Sequence, residues 1–138
     1  YDPDLVVEGN WLPSAGYEAT RQLMAQSIPP TAIFCANDRM ALGCYEALKE
    51  LRLHIPDDVS VIGYDDDEVA RHLSPLLTTM ELPHRSMGRW AVEKALSLLE
   101  PRRDKYNVVK FECPLIERDS IGPPRTVGRP LALGRTQR

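Results

Sequence analysis

The chain of 138 residues is poor in cysteine and aromatics, and it has no long apolar run. Its three cysteines, Cys35, Cys44 and Cys113, are odd in number and form no Cys-x-x-Cys pair, which indicates neither a disulfide framework nor a zinc site. Cys35 and Cys44 lie within apolar runs, as reduced core thiols do, and suggest a cytoplasmic origin. No stretch approaches the roughly 20 apolar residues of a membrane span, and Tyr1-Asp2-Pro3-Asp4 lacks the basic and apolar regions of a secretory leader. The missing initiator Met reads as a piece of something longer. Gly-x-Ser-x-Gly, the P-loop and Gly-x-Gly-x-x-Gly are all absent, so no enzyme and no cofactor is expected. His54, His72 and His84 show no ligand spacing and read as surface or boundary histidines. Asp65, Asp66 and Asp67 are adjacent, so in an extended segment they point to different sides and cannot chelate one metal ion.

A hydrophobic content of 43% and a net charge of −3 suit one globular domain. All 20 acidic side chains precede residue 122, whereas Arg125, Arg129, Arg135 and Arg138 lie beyond it. The body is therefore more acidic than the whole, a poor surface for phosphates, and should not hold nucleic acid by charge.

The stretch Val59 to Asp67 organises the rest. Val59, Val61 and Ile62 suit a strand buried on both faces, which ends in Gly63, Tyr64 and three carboxylates. Asp65 then stands at the carboxyl edge of a parallel sheet, where ligands of open α/β folds bind. A carboxylate there can accept from paired hydroxyls, as a sugar offers. Asp66, Asp67 and Glu68 read instead as helix-capping or solvated acids.

Along the chain, Leu5, Val6 and Val7 form a short strand candidate that runs into Trp11. Ser14 reads as the cap of a helix from Ala15 to Ser27, with Tyr17, Leu23 and Met24 on its buried side. Thr31 to Ala36 is a second buried strand with Asn37 and Asp38 at its exit, Asp38 being the favoured cap of a helix over Arg39 to Arg52. Val59 to Tyr64 and Leu76 to Leu82 are strands, separated by a helical turn from Asp67 to His72. A helix runs from Pro83 to Glu100. Val108 to Glu112 and Leu115 to Glu117 are the last strand candidates, with Pro114 favouring an edge position. The alternation predicts an α/β fold, a three-layer, doubly wound, mostly parallel sheet over residues 1–121. Residues 122–138, rich in Pro and Gly, read as a disordered tail. Trp11, Asn37 and Asp65 thus leave one sheet edge together: an indole face for the C–H face of a sugar ring, an amide and a carboxylate for its hydroxyls. Trp11 could equally anchor its loop.

The stretches Glu8 to Trp11, Ser14 to Tyr17, Pro30 to Gly43, Ile55 to Asp66 and Ser74 to Thr79 resemble the carboxyl-terminal part of LacI/GalR-family transcriptional repressors. The resemblance implies one subdomain of a periplasmic-binding-protein-like core. It also implies an amino-terminal helix-turn-helix, outside this chain, that reads operator DNA. A small effector, a sugar or nucleobase, would bind in the cleft between subdomains and alter DNA affinity. Trp11 matches a ring-stacking position of the family, and Asn37 and Asp65 match effector-bonding positions. Leu82 stands where many members carry a polar residue, often Gln. Met40, Ala41, Cys44 and Tyr45, with Arg71, His72 and Leu73, correspond to the family's homodimer surface. Helix 83–100 would belong to the other subdomain, which is almost wholly missing. An extracellular sugar-binding protein of a transport system would share the fold; upstream sequence would discriminate, a helix-turn-helix against a secretory signal.

Overall fold

The computed structural model describes residues 2–99 and 108–124. Asp2 accepts a hydrogen bond from the Asp4 N–H at 3.0 Å and, with Pro3 next, opens a 3-10 turn over Pro3–Leu5. The strand expected at Leu5 to Val7 therefore does not form, and the segment joins no strand of the sheet. Val7 still packs against the core, while Leu5 and Val6 are exposed.

Helix α1 spans Pro13–Met24, and Ser14 is not its cap. Leu12 holds that position without a side-chain bond, because Pro13 takes the first helical place, where a missing N–H costs nothing. The helix ends before Ser27 and buries Gly16, Thr20, Leu23 and Met24. Tyr17 lies at its margin and donates to the Glu50 carboxylate at 2.5 Å, so it is not a core residue. Strand β1 covers Ala32–Phe34, and helix α2 covers Asp38–Glu50. The cap of α2 is Asn37, whose Oδ1 accepts from the Met40 N–H at 2.8 Å, which corrects the expectation for Asp38.

Strands β2 (Ser60–Asp65), β3 (Thr78–Glu81) and β4 (Leu115–Ile116) complete a sheet ordered β1-β2-β3-β4. The first three are parallel, with Ile33 beside Val61 and Gly63 beside Thr79; β4 runs antiparallel on the edge. The α/β class and mostly parallel sheet are those expected. Strand β1 departs in one respect: Ile33 is buried, but Phe34 is 63% exposed, because β1 is an edge strand with an outer face that no described element covers. Residues 108–112 form no strand, and Val108 is exposed.

The core lies between α1, α2 and the sheet, around Met24, Leu48, Val59, Val61 and Leu77. The apolar stripe of α2 is spent there. Met40, Ala41, Cys44 and Tyr45 are consequently interior residues, not the surface for a second copy that the resemblance implied. Leu73 is buried as well, whereas Arg71 and His72 remain exposed beside the 3-10 turn Glu68–Arg71.

Helix α3 spans His84–Ser97 and buries none of its residues. Its aromatic contact is Trp90 edge-on to Phe111, with ring centroids 6.3 Å apart. Glu100, the expected end of this helix, falls outside the described residues. The body extends past Ile121: the Gly122 N–H donates to Ser60 Oγ at 3.1 Å, so Gly122 is not part of a disordered tail. Residues 125–138 of that tail lie outside the described residues.

Candidate functional site

Parallel strands point their carboxyl ends the same way, so the exits of β1 and β2 converge on one edge. At the β1 exit, Asn37 caps α2 through its oxygen and donates from Nδ2 to the Trp11 carbonyl at 3.3 Å. One N–H and one lone pair of this amide stay free of those two bonds. Trp11 has φ 69 and is 64% exposed.

Asp38, the next residue, is completely buried. Its Oδ1 accepts from the Thr79 hydroxyl at 2.6 Å and its Oδ2 from the Asp67 N–H at 2.8 Å. One carboxylate thereby fastens the start of α2 to β3 and to the turn that follows β2. Desolvation raises its pKa, and the two hydrogen bonds offset part of that rise. Gly63 is required opposite: a Cβ there would lie 2.1 Å from Asp38 Oδ1.

Asp65 ends β2 with φ 115, beside Glu81 of β3. Its carboxyl titrates above the usual aspartate range because burial disfavours the charged form; His84 opposes the shift and Asp67 adds to it. Asp66, with φ 54, ion-pairs through Oδ1 with Arg118 and through Oδ2 with Arg71, both at 2.5 Å. Arg118 also donates to the Leu77 carbonyl at 2.7 Å. Asp66 and Asp67 thus have structural partners, Asp67 capping the short turn at Glu68.

The structure joins Trp11 to Asn37 and sets Asp65 on the neighbouring exit, but the three do not line one hollow. Trp11 lines an apolar groove of about 500 Å³ with Val6, Leu23, Ile33, Phe34 and Met40. Asp65 lines a separate hollow of about 440 Å³ with Asp66, Glu81, Leu82, His84 and Ser86. Leu82, in place of a polar side chain, gives this wall a backbone N–H that donates to the Asp65 carbonyl at 3.3 Å. Sequence reasoning missed His84, Arg118 and Thr79. Arg118 lies 52 positions from Asp66, and no local pattern announces such a pair. Among the described residues no cluster of His, Cys, Asp or Glu could hold a metal ion. Nor is any described helix long and apolar enough to cross a membrane.

The periplasmic binding protein-like domain family matches residues 3–121. The HTH-type transcriptional repressor PurR of Pectobacterium atrosepticum is 41% identical over 126 residues, covering 90% of this chain and 37% of that protein. PurR of Salmonella paratyphi B is 40% identical over the same shares of the two chains. The chain therefore spans little more than a third of the length of these relatives. Among solved structures, the transcriptional regulator CelR–cellobiose complex superposes with a TM-score of 0.82 at 31% identity, over 87% of this chain and 37% of that one. A dimeric Lac repressor with a carboxyl-terminal deletion gives 0.78 at 36% identity, over 86% and 43%. This chain belongs to the periplasmic binding protein-like domain family, and within it corresponds to the carboxyl-terminal portion of HTH-type PurR repressors and LacI-family regulators.

Proposed function

We propose that this chain is the effector-sensing portion of a LacI-type DNA-binding transcriptional repressor, and not an enzyme. A small ligand, a sugar, lies in the cleft between two subdomains, of which this chain supplies one wall. Its binding changes the affinity of a helix-turn-helix, outside this chain, for operator DNA in the cytoplasm. The observation that carries the reading is that exposed Trp11, whose carbonyl Asn37 holds at the β1 exit, and the Asp65 carboxylate at the adjoining β2 exit stand at one edge of the sheet. Two relatives support the ligand class: a regulator bound to cellobiose, and a LacI family regulator from Enterococcus faecalis with bound ribose, 30% identical with a TM-score of 0.78.

The test is a thermal-shift screen of the full-length protein against mono- and disaccharides, polyols and nucleobases. A ligand that binds only the native state raises the unfolding temperature with its concentration. Asp65→Ala is expected to remove a charge-assisted hydrogen bond of about 1.5–3 kcal/mol and to weaken a hit by about tenfold or more. A hit that survives the substitution unchanged would place the ligand elsewhere. Binding by the 138-residue chain alone should be weak, since a cleft ligand draws contacts from both walls; tight sugar binding in calorimetry would refute that.

Helix α3 belongs, in this reading, with the other subdomain. Its exposed Met87, Val92 and Leu96, with Leu98 and Leu99 just beyond its end, need cover, because leaving apolar surface in water forfeits about 25 cal/mol per Å². The isolated chain should therefore self-associate, and the intact repressor should be a homodimer. Sedimentation that stays monomeric at high concentration would count against the first expectation.

A further inference from the structure

We propose that Asp66, gripped by Arg118 and Arg71, is the positioning residue that aims Asp65 into its hollow. The proposal deepens the effector-site reading and rests on it for its biological meaning. Two successive non-glycine residues, Asp65 and Asp66, take positive φ, and such backbone persists only where its surroundings over-determine it. Among the described residues, no hydrogen bond reaches the Asp65 carboxylate itself. The restraint comes from the next residue. Each Asp66 oxygen has its own guanidinium, and the side chain is only 10% exposed.

The two arms reach different parts of the fold. Arg71 stands on the 3-10 turn Glu68–Arg71 and is 61% exposed. Arg118 follows β4, is 13% exposed, and is itself fixed by the Leu77 carbonyl and by its N–H to Thr79's neighbour, Thr78 Oγ1, at 2.9 Å. A rigid guanidinium fork with both directions satisfied transmits that fixity to a carboxylate. Asp66 therefore cannot rotate its peptide without breaking two ion pairs, one of them buried. Through that peptide the direction of Asp65 is set. The return strand and the turn after β2 thus jointly determine where the ligand-facing carboxylate points.

NMR on the 138-residue chain tests this without a ligand, using Asp66→Asn and Arg71→Gln. The amide of Asp66→Asn offers an N–H to a guanidinium in place of an oxygen. The three-bond HN–Hα couplings of residues 65 and 66 are expected to lose their positive-φ values while the remaining amide spectrum stays dispersed. Unchanged couplings in the folded variant would overturn the proposal. If Asp66→Asn does not fold, Arg71→Gln decides, since its site is largely solvated. The groups facing Asp65 are Asp67, His84 and Glu81, with Arg71 the charge removed. Loss of that positive charge alone would raise the Asp65 carboxyl titration read by 13C NMR. Release of Asp65 toward water would instead lower it toward the ordinary aspartate range, which is the expected result; an unchanged or raised value overturns the proposal. A saccharide screen without hits would remove the ligand from Asp65 and leave these couplings untouched, so the two readings fail separately.

Discussion

Asp38→Ala is expected to lower the unfolding free energy by about 2 kcal/mol at neutral pH, because it leaves the buried Thr79 hydroxyl and the partly buried Asp67 N–H without their acceptor. Urea titration should show the midpoint falling with its slope unchanged. Asp38→Asn is the informative companion. Its oxygen can take the Asp67 N–H while its amide donates to Thr79 Oγ1, so the network closes again without a charge. The variant should lose far less stability than the alanine. Its pH dependence has a definite sign. The folded carboxyl of Asp38 titrates above its unfolded value, so the folded state binds the proton more tightly. Stability from this group falls as pH rises from the ordinary aspartate range through the raised folded value. Wild type should thus gain on Asp38→Asn as the solution is acidified through that window. A stability difference independent of pH there would show that Asp38 is not the buried, desolvated carboxylate described above.

Gly43→Ala is expected to cost about 3 kcal/mol, the upper part of the range for overpacking, because the obstacle is backbone rather than a flexible side chain. A Cβ at Gly43 would stand 1.8 Å from the Pro13 carbonyl oxygen and 2.7 Å from the Tyr17 nitrogen. Gly16 meets the reverse side of the same crossing, where its Cβ would lie 2.0 Å from the Met40 oxygen. Helices α1 and α2 therefore touch backbone to backbone, and either alanine forces them apart. The shift would reach the site, since Asn37 at the head of α2 holds the Trp11 carbonyl. Gly88→Ala on α3 supplies the contrast: nothing lies within 4 Å, and the substitution should stabilise by about 0.5–1 kcal/mol through helix propensity. Equal effects at Gly43 and Gly88 would refute the close crossing.

Much of this was legible in local pattern. The apolar run at Val59 to Ile62 closing on Gly63 gave a strand and its exit at the carboxyl edge of the sheet, and the spacing of Met40, Ala41, Cys44 and Leu48 gave a helix with one apolar face. An apolar face says that a helix is covered, not by what, and α2 is covered by α1 and the sheet rather than by a second copy. At the start of the chain, Leu5 to Val7 has strand composition, yet composition cannot supply a neighbour to pair with.

The sequence by itself therefore determined the class of fold and the positions of Asn37 and Asp65 at strand exits, because periodicity and turn chemistry act over a few residues; Trp11 instead follows a segment that forms no strand. The tertiary structure alone decided which acids are free and which are committed. Asp38, Asp65, Asp66 and Asp67 differ little as letters. Burial against Thr79 makes Asp38 a brace, and Arg118, brought from 52 residues away, makes Asp66 a clamp. Among the described residues no hydrogen bond reaches the Asp65 carboxylate. Such assignments rest on long-range contacts and desolvation, which no local stretch of sequence encodes.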